Sequence, residues 1–209
     1  MRARTGGTRL ELANTNAMEL ITIGDTGKMP RERTGALAPG TAPGGRSRLA
    51  LLLATAGGVG CAPVAPGTFG SALAVLLFLP IAALGPAAYA IALLTLFAAG
   101  VAAAGAAERI FGGRDDGRIV IDEVVGQLLA LAPLLLAPSA SRLQRLVLIA
   151  TGFALFRCFD IWKPGPVRWL ERHISGGLGV MLDDVAAAVL AAAALTLLLW
   201  ASSAVGAPA

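Results

Sequence analysis

After Leu49 the chain is a succession of apolar segments, Ser71–Leu84, Pro86–Ala107, Val124–Ala137, Leu143–Phe156 and Val185–Ala201, divided by Gly/Pro-rich or charged stretches. A helix needs about 20 apolar residues to cross the hydrocarbon core of a bilayer, and only the second segment reaches that length with ease. Runs of about 14 are more often re-entrant, tilted or buried in protein. The pattern predicts an all-α fold, a polytopic membrane helical bundle of four to five apolar helices. A hydrophobic content of 56% against 14% charged residues excludes an ordinary soluble domain.

The net charge of +4 divides unevenly. Arg2, Arg4, Arg9, Lys28, Arg31, Arg33, Arg46 and Arg48 precede Leu49 against Glu11, Glu19, Asp25 and Glu32, and beyond Leu49 bases and acids balance. The basic excess is therefore no evidence for nucleic-acid binding by the core, and beside a bilayer it attracts anionic lipid. Residues 1–48 have no apolar periodicity and no run of signal-peptide length, which predicts a disordered basic N-terminal extension. A single membrane-embedded domain is expected over 49–205, with 206–209 as a C-terminal tail. Cys61 and Cys158 are too few for a disulfide framework or a zinc site, and His173 alone cannot serve chemistry that needs a histidine cluster.

Alternating crossings place the loops with Arg109, Arg114, Lys163, Arg168 and Arg172 on the same side as the N-terminal stretch, and the positive-inside rule makes that side cytoplasmic. Glu108, Asp115, Asp116, Asp122, Glu123, Asp160, Glu171, Asp183 and Asp184 all fall on or at the edge of that side. Loops on the cytoplasmic side are thus expected to form the site.

Four constellations stand out. Asp122 and Glu123 follow the β-branched Ile119-Val-Ile121 and enter an apolar segment. One acid there would serve as a helix cap, but two adjacent acids at a membrane edge call for a wet cavity, a partner or a cation. Arg157, Asp160 and Lys163 recur every three residues, share one face of a helix that Pro164 and Pro166 end, and suit either a solvated ion-pair stripe or a phosphate bridged to a metal. Ser175 to Asp184 reads as a glycine-rich loop whose amides, with Asp183 and Asp184, suit phosphate and a divalent cation, or simply a helix cap. Ala56 to Ser71 is too rich in Gly and Pro for a crossing helix, and Thr68 or Ser71 offers a cap for the next one.

Taken together, Pro63-Val-Ala-Pro-Gly-Thr-Phe-Gly-Ser71, Ile119-Val-Ile-Asp-Glu-Val-Val-Gly126, Phe156-Arg-Cys-Phe-Asp-Ile-Trp-Lys-Pro-Gly-Pro166 and Gly176-Gly-Leu-Gly-Val-Met-Leu-Asp-Asp184 resemble the phosphatidylglycerophosphatase A family in order and spacing. Val59 and Ala62 stand where related sequences tend to carry serines. The resemblance implies a multi-pass protein of the bacterial inner (cytoplasmic) membrane that removes the terminal phosphate of phosphatidylglycerophosphate, with Mg²⁺, at a site facing the cytoplasm. It implies Asp122, Glu123, Asp160, Asp183 and Asp184 as the metal and catalytic set, with Arg157, Lys163, Gly176, Gly177 and Thr68 on the substrate phosphate. Nothing in the chemistry opposes this: there is no Cys-x5-Arg loop after Cys158 and no Asp-x-Asp pair, so metal-assisted hydrolysis by carboxylates remains. The alternative that the same acids allow is an ion- or proton-coupled transporter, against which stand their clustering away from the midplane and the lack of an internal repeat.

Overall fold

The computed structural model describes residues 44–114, 116–137 and 141–205. The expectations for the N-terminal extension up to residue 43 and for the tail at 206–209 lie outside the described residues. Every regular element described is helical: α1 Gly45–Ala54, a 3-10 turn Val59–Cys61, α2 Pro66–Ala83, α3 Pro86–Phe111, α4 Ile121–Leu131, a 3-10 turn Ala132–Leu136, α5 Arg142–Trp162, α6 Gly165–His173 and α7 Gly176–Val205. Helix α1 takes in Gly45 to Arg48, so helical structure begins ahead of the boundary at Leu49.

Local chemistry sets the ends. Pro66 and Pro86 occupy the first turns of α2 and α3, where a missing N–H costs nothing. A reciprocal cap starts α5: Ser141 Oγ accepts from Gln144 N at 3.3 Å, and Gln144 Oε1 accepts from Ser141 N at 2.8 Å. At its far end Lys163 adopts a left-handed conformation and Pro164 stops the helix.

Among the described residues three helices are long and apolar enough to cross a membrane, Pro66–Ala83, Pro86–Phe111 and Gly176–Ser202. The expected count of four to five is therefore approximate, and the two remaining segments show why. Helix α5 has the length, with 21 residues, but carries Arg142, Arg145, Arg157 and Asp160. The Val124–Ala137 run breaks at Pro133 into an 11-residue helix and a 3-10 turn. At 1.5 Å per residue, α4 spans only about 16 Å, half of a bilayer core.

Instead of facing lipid, α4 packs against α2, α3, α5 and α7, and Val124, Val125, Leu128 and Leu131 are almost wholly buried. Tyr89 on α3 donates its hydroxyl to the Leu128 carbonyl at 2.6 Å, and Val120 N donates to the Ala54 carbonyl at 2.9 Å, fixing the far end and the entry of α4. Close van der Waals packing is what holds helices together once their surroundings are apolar. The α4 N-terminus, with its two acids, is thereby enclosed between the start of α2 and the early turns of α7.

Candidate active site

Asp122 and Glu123 lie in the first turn of α4, where the helix dipole favours negative charge. Asp184 reaches them from α7, two turns in from Gly176. Ligand oxygens of Asp122, Glu123 and Asp184 all lie within 4.8 Å of one another. Asp122 and Asp184 are buried, and Glu123 Oε2 and Asp184 Oδ2 have no hydrogen-bond partner among the described residues. Asp122 Oδ1 accepts from the neighbouring Glu123 N at 3.0 Å. Three carboxylates this close repel each other and are shielded from bulk water, so a cation or shared protons would stabilise them together.

The donor set suits a hard divalent ion. Carboxylate oxygens are the ligands Mg²⁺ prefers, and it binds through a few of them while keeping waters. The two orphaned buried oxygens are the kind of atom such an ion would satisfy.

The other sequence-derived residues distribute around this trio. Asp160, on α5, is near enough for its charge to act on both Glu123 and Asp184, and it forms an ion pair with Arg157 Nη1 at 2.7 Å. Arg157 is largely buried, and its Nε has no acceptor among the described residues. Asp183 turns the other way: its Oδ1 accepts from Asp184 N at 3.1 Å and its Oδ2 lies 2.9 Å from Lys163 Nζ. Lys163 also holds Glu171 Oε1 at 2.9 Å. Burial works against its charge, but the Glu171 and Asp183 carboxylates outweigh that and hold the ammonium above the usual lysine range. The charged stripe thus divides, with Arg157 and Asp160 at the trio and Lys163 between α6 and α7.

Thr68 sits half-buried in the first turn of α2. Ser175 to Asp184, read from sequence as a loop, is helical from Gly176 onward. Gly177 is there for close packing: a Cβ would fall on the Val101 carbonyl and lie 3.0 Å from Gly105 Cα of α3. Gly176 borders a cleft with Arg114, Glu171, Ser175 and Asp183.

Sequence reasoning did not single out Gly67, Glu171 or Gln127. A Cβ at Gly67 would collide with Glu123 Oε1 and come within 3.3 Å of Arg157 Nη1, so the α2 N-terminus closes directly over the carboxylate and the guanidinium. Gln127 is wholly buried one turn beyond Glu123. Its signal was legible in principle, as an amide in the otherwise apolar Val124–Leu136 run.

Helices of membrane-crossing length around a buried carboxylate trio, with an arginine beside it, define a polytopic membrane protein with acids gathered at one buried centre. A family model described as phosphatidylglycerophosphatase A matches residues 52–199, which take in Gly67, Asp122, Glu123, Arg157, Asp160 and Asp184. The phosphatidylglycerophosphatase A of Escherichia coli (strain K12) is 35% identical over 144 residues, 69% of this chain and 80% of that protein. That of Haemophilus influenzae is 38% identical over 141 residues, 67% of this chain and 82% of its own. A provisionally named phosphatidylinositol-3-phosphatase of Bacteroides thetaiotaomicron is 41% identical over 160 residues, covering 74% of this chain and 96% of that one. No solved structure matches. The chain belongs to the phosphatidylglycerophosphatase A family and is a membrane phosphatase.

Proposed function

We propose that this protein hydrolyses the terminal phosphate of phosphatidylglycerophosphate to phosphatidylglycerol and phosphate, in a Mg²⁺-dependent reaction at the cytoplasmic face of the bacterial inner membrane. The observation that carries the reading is the convergence of Asp122, Glu123 and Asp184 within 4.8 Å, with orphaned buried oxygens, at the start of α4. The names of the relatives supply the substrate.

Asp122, Glu123 and Asp184 would hold the ion. A bound divalent cation neutralises charge that builds on the transferring phosphoryl group. Arg157 donates its free N–H groups to phosphate oxygens, in the planar geometry that suits them. Asp160, facing the trio but paired with Arg157, takes the proton of the attacking water as its oxygen bonds to phosphorus. The bond from phosphorus to the glycerol oxygen breaks, and that oxygen leaves as the lipid hydroxyl on receiving the proton that Asp160 took from the water. Gly67 keeps the α2 N-terminus close over this pocket and limits water there. Gly176, at the neighbouring cleft, Lys163, which binds Glu171 and Asp183 of that cleft, and Thr68, at the α2 N-terminus, remain the further candidates for headgroup contact. Gly177, packed into α3, supports the helix that carries Asp184.

The test is phosphate release by the purified full-length protein from phosphatidylglycerophosphate and from phosphatidylinositol 3-phosphate in detergent micelles, with Mg²⁺ or with a chelator. Release from phosphatidylglycerophosphate that requires Mg²⁺ supports the reading. Preference for the inositol lipid would move the substrate to that of the Bacteroides relative, and equal release under chelation would remove the metal.

A further inference from the structure

Gln127 is wholly buried, and neither its amide nitrogen nor its amide oxygen has a hydrogen-bond partner among the described residues. Burying an amide unpaired is costly, and a leucine would fill the same space without that cost. A native protein that keeps such a group has a water, an ion or a task for it.

Its position narrows the task. Gln127 lies four residues after Glu123 on α4, so the two side chains share one side of the helix. Glu123 Oε2 is also buried and without a partner. Facing α4, the buried stripe of α2 runs Gly67, Gly70, Ser71, Ala74. A Cβ at Gly70 would lie 3.0 Å from Val120 Cβ and 3.5 Å from Glu123 Cβ, which sets this stripe directly against the start of α4. The next residue, Ser71, is wholly buried, and its Oγ likewise has no partner. Orphaned polar groups thus occur on both sides of one helix contact, immediately inward of the carboxylate trio.

We infer that Glu123 Oε2, Gln127 and Ser71 enclose a water-binding site between α2 and α4, and that Gln127 acts through it as the positioning residue for the Glu123 carboxylate. The inference rests on the cation reading above. One water serves three of the four orphaned atoms: it donates to Glu123 Oε2 and to Gln127 Oε1 and accepts from the Ser71 hydroxyl, which gives it the two to four partners a buried water needs. A carboxylate oxygen has two lone pairs, so Glu123 Oε2 accepts from this water behind and keeps one fixed orientation toward an ion in front, and loss of such outer support typically weakens metal binding or activity about 10–100-fold.

The experiment uses the purified full-length protein in detergent, with Gln127→Leu, Ser71→Ala and the double variant. Thermal unfolding is followed against Mg²⁺ concentration, and kcat and KM for the lipid are measured separately. Gln127→Leu is expected to keep the cation-free Tm of the native protein or exceed it, while the Mg²⁺ concentration for half of the thermal shift rises about 10–100-fold and kcat falls with little change in KM. Ser71→Ala should move the Mg²⁺ midpoint in the same direction, and should add nothing on the Gln127→Leu background because both removals empty the same site. A native Mg²⁺ midpoint in Gln127→Leu, or fully additive effects of the two changes, overturns the inference. Should Gln127→Leu not fold, the buried amide is needed for the fold itself, and Gln127→Asn, which withdraws the amide by one methylene, decides: a native midpoint in it overturns the inference and a raised one supports it. A native protein whose unfolding ignores Mg²⁺ defeats the cation reading and the inference together; a native response that the variants leave unchanged defeats only the inference.

Discussion

Lys163 Nζ lies 2.9 Å from Asp183 Oδ2 and 2.9 Å from Glu171 Oε1, so one ammonium joins the end of α5 to α6 and to the residue before Asp184. Lys163→Met should therefore act first on stability. A hydrogen bond to a charged partner contributes about 1.5–3 kcal/mol, and the loss should appear as a lower Tm. Because the folded Lys163 sits above the ordinary lysine value of 10.5, its contribution is complete below that pH and fades only as pH rises through the higher folded value. Native and Lys163→Met proteins should thus differ in Tm by a constant amount across pH 6 to 9. A gap that closes within that window would show that the tie is not ionic.

Asp122→Asn, Asp160→Asn and Asp184→Asn should each lower phosphatase turnover about 10²–10³-fold, as for the loss of one preorganised electrostatic contact. Asp183→Asn separates its role from theirs, since Asp183 faces Lys163 and not the trio. It should lower Tm but leave the Mg²⁺ midpoint of activity in place, and Arg157→Ala should raise KM with that midpoint also kept. Near-native turnover in all three of the first variants would mean that these acids are caps and ion pairs.

Gly67→Ala places a methyl group on Glu123 Oε1, so either the carboxylate or the α2 N-terminus must move. A shift near 1 Å at a reacting group costs on the order of 10²-fold in rate. Gly113→Ala is the matched control, with open space around its Cβ. Equal kcat/KM for the two variants would free Gly67 from any part in the site.

Cysteines placed singly at Gly113 and Gly165, in a protein lacking the exposed Cys61 and Cys158, test the orientation. Both positions flank Arg/Lys-rich stretches and should resist an impermeant thiol reagent applied outside intact cells. Prompt labelling of either would invert the proposed topology.

Removal of residues 1–43 should leave specific activity within a few-fold, because the family match begins at residue 52 and α1 at Gly45. Extending the deletion through Ala54 removes the helix that packs on α3 and, with the Ala54 carbonyl, the contact that sets the Val120 entry to α4, and activity should be lost. Activity assays on membrane-inserted proteins of both lengths distinguish the outcomes.

The acids of the trio were legible in the sequence because charge at a membrane edge is too costly to be idle: Asp122 and Glu123 announce themselves by following Ile119-Val-Ile121. The division between Asp183 and Asp184 was not legible. Adjacent residues on a helix diverge by about 100°, and which one turns inward depends on how α7 rolls against α3, which Gly177 and Gly105 decide at close range. The same limit applies to α4. Its composition is that of a crossing segment, and only Pro133 and the packing of its neighbours show that it stops partway. Gly67 was visible merely as part of a Pro/Gly-rich stretch, since a glycine's purpose lies in what approaches it.

The trio is completed from the last helix: Asp122 and Glu123 belong to α4, whereas Asp184 comes on α7, after α5 and α6 have been made. Chains are synthesised from the N-terminus, so there is an interval in which α4 carries its acid pair without the third ligand or the helix that encloses it. During that interval the proposed ion site is incomplete. A chain truncated before α7 is consequently a distinct species, one without the third acid of the trio and without the helix that encloses the other two.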